Sequence, residues 1–170
     1  MDNTEHAASP PAVVAGATGI SVDLIALRSC TFEDHYFESL FKDSPNPEPE
    51  DDQVDIEADV RLWFSTNERT ALVQLILKAQ PRTQPSWSAV VDIVGQYSAS
   101  DSSVMPLAEF ARGNGIAYLV PYARERLASL TSASVFETYN LPPLNVSKIW
   151  EMARVAQERS SAPKTPPSSG

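Results

Sequence analysis

From Val54 to Phe64 the chain alternates without a break. Val54, Ile56, Ala58, Val60, Leu62 and Phe64 fall on one side of an extended backbone, and Asp55, Glu57, Asp59, Arg61 and Trp63 on the other. Such a segment buries one face and wets the other, which is the pattern of an antiparallel sheet covered on one side only. Thr66-Asn-Glu-Arg69 reads as the hairpin connection to a return strand from Thr70 to Gln80, which Pro81-Arg-Thr-Gln-Pro85 breaks. A valine- and isoleucine-rich strand follows from Trp87 to Tyr97. An earlier strand, Ile20 to Phe32, places Ile20, Val22, Leu24 and Ala26 on one face and Ile25 and Leu27 on the other, so both faces carry apolar character. The later three strands form a meander. The first joins it through a longer connection made of the aromatic-rich His35–Lys42 and the acidic, proline-broken Asp43–Asp52.

After the strands the period changes. Val104 to Arg112 is a short helix, capped by Asp101, Ser102 or Ser103 and ended by Gly113-Asn-Gly115. A second helix runs from Ile116 to Leu130, with Ile116, Leu119, Val120, Ala123, Leu127 and Leu130 on one face. It contains Pro121. A proline in a helix interior costs about 3 kcal/mol, so packing against other elements or other copies must offset it. The connection from Val135 to Val146 includes Asn140-Leu-Pro-Pro-Leu-Asn-Val146, an apolar loop stiffened by prolines. A last helix spans Ser147 to Arg159, with Ile149, Trp150, Ala153 and Ala156 as its apolar side. Strands first and helices afterwards make an α+β domain, expected over residues 19–159, with helices layered on one face of the sheet. Residues 1–18 and 160–170 are small, polar and Pro-rich and are expected to be disordered.

The formal net charge is −9 and the sequence pI about 4.6, which argues against nucleic acid and anionic membrane surfaces as partners. The single cysteine, Cys30, allows no intrachain disulfide; its expected identity is a small buried hydrophobe in the first strand. No signal-peptide pattern opens the sequence, and no apolar run reaches the roughly 20 residues of a membrane span, so the expected compartment is the cytoplasm, without direct membrane insertion. His35 follows Glu33 and Asp34, but neighbours on an extended chain point to opposite sides and assemble no proton-transfer site. No metal-ligand spacing or phosphate loop occurs, and no cofactor is expected. The acidic set from Asp43 to Asp59 lacks the glycine and closing glutamate of a calcium loop; it reads as a solvated face, or as a docking surface for a basic partner. The expectation is a protein that is not an enzyme.

Three segments resemble the SecB export-chaperone family of bacteria and its SecB-like relatives. Leu27-Arg-Ser-Cys-Thr-Phe-Glu33 is similar to the end of the family's first strand, where a basic residue is followed by Ser/Thr-Phe-Glu. Tyr118-Leu-Val-Pro-Tyr-Ala-Arg-Glu125 resembles the family's Leu-Phe-Pro-Tyr-Ala-Arg-Glu helix, and Leu141-Pro-Pro-Leu-Asn-Val146 its Leu-Pro-Pro-Val/Ile-Asn-Phe loop. Order and spacing agree over about residues 20 to 159. The resemblance implies a four-stranded antiparallel sheet with two main helices on one face. It implies dimers through the first strand and the long helix, paired into a homotetramer. Ile25, Leu27, Tyr118, Pro121, Tyr122, Arg124 and Glu125 would then form the subunit interface.

The resemblance also implies holding rather than catalysis. Unfolded or pre-export polypeptide clients lie in an apolar groove between a crossover loop, the last helix and the sheet. By position the loop residues are Val135, Phe136, Tyr139, Leu141, Pro142, Pro143 and Leu144, faced by Trp150 and by Trp63, Leu72 and Ile76. SecB offers acidic residues to the motor SecA at the positions of Ser29 and near Leu75, neither of which is acidic here, whereas Glu33 matches. Glu33, Asp55, Glu57 and Asp59 are the expected acidic docking face. Some relatives serve one antitoxin, and a dedicated chaperone or adaptor for such a partner is the alternative to a general holdase.

Overall fold

The computed structural model describes residues 18–35, 53–82, 86–134 and 138–161. The two expected tails beyond those limits, the connection from 36 to 52, and Val135 and Phe136 lie outside the described residues. Strands β1 (Ile20–Asp34), β2 (Val54–Phe64), β3 (Thr70–Pro81) and β4 (Trp87–Ala99) form one antiparallel sheet in the order β1-β4-β3-β2. The meander and the late-joining first strand are as expected. Register between β2 and β3 is unbroken from Val54↔Pro81 to Phe64↔Ala71. The Ser65 amide donates to the Thr70 carbonyl at 2.9 Å, and the Thr70 amide to the Ser65 hydroxyl at 3.0 Å, which closes the hairpin. Glu68 takes the left-handed turn position at φ 54°.

One face of the sheet is the core. Ala71, Val73, Leu75, Leu77 and Ala79 of β3 and Ala89, Val91, Ile93 and Tyr97 of β4 are buried beneath Ile116, Leu119, Val120, Ala123 and Leu127. The strict alternation of β2 is therefore real, although only Ala58 and Val60 are fully covered and Phe64 stays exposed at the strand's end.

The face assignment of the first strand is corrected. A register shift between Val22 and Leu24 moves Leu24 and Ala26 to the open face, opposite Gln96 and Val94. Ile25 and Leu27 thereby join Ile20 and Val22 on the helix side, opposite Gly95 and Ile93. A second shift, between Leu27 and Ser29, follows. Each bulge inserts one residue and reverses the parity that simple alternation assumes. Cys30 is exposed rather than buried, because β1 is the outermost strand on its side of the sheet.

The helical region also differs from expectation. Gly113-Asn-Gly115 does not end a helix. Helix α1 (Leu107–Phe110) passes through a π turn (Ala111–Gly115) directly into α2 (Ile116–Ser132), and Pro106 precedes it without a side-chain cap. Ser103 instead donates to the carbonyls of Thr18 and Met105, at 3.0 and 2.8 Å, and so pins the start of β1. The π turn has a structural cause in β4. The Tyr97 hydroxyl donates to the Gly115 carbonyl at 2.7 Å, and its ring packs edge-on against Phe110 with centroids 5.4 Å apart. A Cβ on Gly115 would sit 3.3 Å from Val73 Cγ2 and 3.4 Å from the Tyr97 ring, so glycine is what lets the helix close on the sheet here. Pro121 lies within α2, on its exposed side, and does not break it.

Burial pushes the Tyr97 phenol well above its ordinary pKa of 10.0, with smaller contributions from Tyr118 and Tyr122. A phenol whose folded pKa is raised lends stability that is complete below pH 10 and drains away above it, as the unfolded chain ionises first. The expected result is a loss of about 1.4 kcal/mol per pH unit above pH 10 from this group. Tyr97→Phe should flatten that part of a denaturant-midpoint-against-pH curve, and an unchanged slope would show that the phenol is not held neutral.

Candidate functional site

The two outer strands of the sheet are not equivalent. The Arg82 amide donates to the Gln53 carbonyl at 2.9 Å and the Ser65 amide to Thr70 at the other end, so the odd-numbered residues of β2 bond to β3. In an antiparallel ladder the alternate residues then turn their N–H and C=O groups outward. Those are Val54, Ile56, Ala58, Val60, Leu62 and Phe64, whose side chains all lie on the helix side. Among the described residues no strand pairs with that edge. It is long, regular and free of proline. The β1 edge, by contrast, is broken by its two bulges, a common way of blunting an edge.

Helix α3 (Val146–Ser161) runs beside β2 on the core side. Its start is fixed by Asn145, whose Oδ1 accepts from the Lys148 amide at 2.8 Å. Ile149 and Ala153 are buried beneath it, and the Trp150 indole N–H donates to the Arg112 carbonyl of the π turn at 3.0 Å. Between α3 and β2 opens a cleft of about 120 Å³, lined by Ile56, Met152, Val155 and Ala156, by the exposed Lys148 and Glu151, and by Glu57, whose side chain turns to the opposite face of the sheet. The cleft is apolar within, carries Lys148 and Glu151 at its lip, and lies against the Ile56 edge, which no described strand pairs.

The loop before α3 is held down from beneath. Thr131, fully buried, donates its hydroxyl to the Leu127 carbonyl at 3.0 Å and accepts the Tyr139 amide at 2.9 Å. The Tyr139 ring tilts onto Trp87 with centroids 5.8 Å apart, and Trp87 stacks on Phe32 at 6.2 Å. This aromatic run continues the apolar lining towards β1. Ile56, Ala79, Ala89 and Phe32 occupy one cross-strand row, so cleft and aromatic run share an end of the sheet, about 14 Å apart at some 4.8 Å per strand.

No family model matches the sequence, and no curated protein matches it. A solved structure does. The Mycobacterium tuberculosis Rv1957 SecB-like chaperone, in complex with a ChAD peptide from the Rv1956 HigA1 antitoxin, superimposes with a TM-score of 0.59 over 76% of this chain and 93% of that one, at 19% identity. The chain has a SecB-like fold.

Within the SecB-like fold the expected site residues separate. Trp63, Leu72 and Ile76 cannot face the loop and α3, because β2 and β3 turn these side chains to the opposite, open face of the sheet. Trp63, 45% exposed, pairs there with Leu72. Leu141 is only 3% exposed and belongs to the core, where it ties the loop down. Trp150 is half-buried with its N–H committed to Arg112. Pro142 and Pro143 are exposed, and Tyr139 and Leu144 half-buried. The residues that line the cleft, Ile56, Met152, Val155 and Ala156, and the stack of Phe32 and Trp87 were not singled out in the sequence as site residues. The apolar side of the last helix was the one signal for them.

The open face is less acidic in effect than its composition. Asp55 is held by Arg82 through Nε at 2.9 Å and the guanidinium NH2 at 2.7 Å, Asp59 by Arg61 at 2.9 Å, and Asp92 lies 3.9 Å from Arg28. Glu33 is exposed at the end of β1, 3.6 Å from His35. Exposed pairs of this kind contribute a few tenths of a kcal/mol each to stability, but they cancel much of the field a basic partner would feel. Among the described residues no group of acidic, histidine or cysteine side chains is arranged to hold a metal ion, and no helix is long and apolar enough to cross a membrane.

Proposed function

We propose that the protein is a holdase chaperone. It binds non-native polypeptides in extended form, keeps them from aggregating and turns over no substrate. The observation that carries this reading is the unbroken β2 edge beside the apolar α3 cleft. An extended client added to that edge places every second side chain on the helix side, next to Ile56 and Val155, and satisfies its own backbone on β2. Main-chain bonds give affinity without sequence preference, and a shallow apolar cleft selects only for hydrophobicity. Burying roughly 400 Å² of client apolar surface is worth about 10 kcal/mol by area, most of which ordering of the client cancels. One groove therefore binds weakly, and several grooves on one assembly hold a chain by effective concentration. Suppression of aggregation for several unrelated unfolded proteins, at stoichiometric ratios, is the expected outcome; failure on all of them would refute the reading.

Assembly supplies those several grooves. Leu27 on β1 is 40% exposed and Tyr122 on α2 is 48% exposed, with Tyr118, Pro121 and Glu125 on the same uncovered side. Among the described residues the buried Nε of Arg124 has no hydrogen-bond partner, a donor suited to an acceptor from a second copy. The expected mass in solution is four times the 18.5 kDa chain. Light scattering checks it, and Leu27→Asp with Tyr122→Asp should lower the mass to that of the monomer.

The SecB-like neighbour is bound to an antitoxin peptide, which favours a second reading, a chaperone dedicated to one partner such as an antitoxin. Client range separates the two. The paired charges of the open face and the absence of acid at Ser29 and Leu75 weigh against a role with SecA in export.

A further inference from the structure

We infer that the β2 edge pairs with the β2 edge of a second copy, antiparallel about a two-fold axis at Val60, and that Phe64 of each copy fills the α3 cleft of the other. The pairing goes beyond the client reading and does not require it; a client, where one binds, competes for the same edge. Parity restricts the register. The outward-facing backbone groups belong to the even-numbered residues of β2, so even must meet even. The charged residues lie on the opposite face and choose among the registers that remain. With the axis at Val60, Asp59 of one copy lies opposite Arg61 of the other, twice over, and Glu57 lies opposite Trp63. An axis at Asp59 or at Arg61 sets two aspartates or two arginines face to face. An axis at Ala58 or at Glu57 sets Glu57 against Asp59 or against its own counterpart. An axis at Leu62 leaves fewer than half the residues of the strand paired. The Val60 register alone among these joins opposite charges, opposes no like ones and keeps most of the strand in the ladder.

The apolar face agrees with that register. Val60 meets Val60, Ala58 meets Leu62, and Ile56 meets Phe64. Phe64 is 38% exposed at the end of its strand, and the cleft beside Ile56 is lined by Met152, Val155 and Ala156. Pairing brings the exposed ring to the apolar cleft and takes both from water. The cleft-lining part of α3 stands at the Ile56 end of β2. The two-fold axis puts its counterpart at the other end of the paired strands, about 26 Å away at some 3.3 Å per residue, so those parts of the two helices lie apart. The contact is one strand and one ring on each side, far smaller than the interface of a stable dimer. It therefore forms in concentrated protein and leaves the dilute mass given above unchanged. Where clients are scarce, it closes two edges that would otherwise recruit other strands.

The test uses the full chain with Cys30→Ser and either Glu57→Cys or Trp63→Cys, both at exposed positions of β2. Facing residues of a non-hydrogen-bonded pair hold their Cβ atoms within disulfide reach. In a concentrated, oxidised mixture, the disulfide between the two variants should exceed either variant's disulfide with itself roughly tenfold. Arg61→Asp places a second acid opposite Asp59 and should remove the growth of mass with concentration seen by sedimentation. Asp59→Arg combined with Arg61→Asp exchanges the pair and should restore it. Phe64→Ala should weaken the association about tenfold. Equal yields of mixed and like disulfides, or a charge exchange that fails to restore association, overturns the pairing. If a charge variant does not fold, the cysteine pair decides alone. A soluble extended peptide carrying valine at alternate positions should displace the second copy. A protein that forms the mixed disulfide yet binds no such peptide sinks the client reading and leaves the pairing standing.

Discussion

Met152→Asp combined with Val155→Asp abolishes client holding while the fold survives. Both side chains line the cleft and are half-buried; Met152 also packs against the edge of the core, whereas Ile149 and Ala153 are the fully buried residues of α3. A client seated over two carboxylates must strip water from at least one without offering it a partner, at a cost of about 3 kcal/mol. At 1.4 kcal/mol per factor of ten, the client binds roughly a hundredfold more weakly. Titration of a labelled extended peptide measures the change, and a cooperative melting transition shows that the sheet still folds. The same peptide N-methylated at every second residue separates the two parts of the site. Methylation on the residues that pair with β2 removes the backbone donors and should cost as much as the two aspartates. Methylation on the intervening residues should cost little. Equal tolerance of both peptides would exclude addition to the β2 edge.

Gly95→Ala costs the domain about 3 kcal/mol of stability. An added Cβ would lie 2.5 Å from the Tyr97 hydroxyl and 2.8 Å from the ring carbon that bears it. Tyr97 cannot swing aside. It is fully buried, edge-on to Phe110, and bonded to the carbonyl of Gly115. Overpacking of this kind costs about 3 kcal/mol, and here the displaced ring also leaves the π turn without its sheet-side donor. Denaturant unfolding should show that loss. The double variant Gly95→Ala, Tyr97→Ala should recover less than the steric part, since it adds a cavity beneath the π turn. A Gly95→Ala protein as stable as wild type would mean that the ring has room to move.

Some of the candidate site was legible early. The apolar side of the last helix is visible in Ile149, Trp150, Ala153 and Ala156, and the β2 pattern announces both a buried face and a wet one. Trp63 already belonged to the wet set, and placing it in the groove set the resemblance against the alternation; the alternation prevailed. Leu141 is apolar in a loop, which fits either a ligand face or an anchor, and only its neighbours distinguish the two. Phe32, Trp87 and Tyr139 are far apart in sequence, and nothing local says that their rings meet. Likewise Asp55 meets Arg82 only across the β2–β3 pair.

By itself the sequence determined the class of the fold, the strand count, the meander, and a proline-bearing helix lying over a one-sided sheet. These follow from periodicity and turn chemistry, which act over a few residues. The tertiary structure alone decided where parity fails. The bulges of β1 depend on its pairing with β4, and the π turn depends on Tyr97 reaching Gly115 from a different element. It also decided which edge is open to an added strand. That choice rests on which neighbour each backbone N–H finds, and pairing of that kind exists only once the strands are side by side.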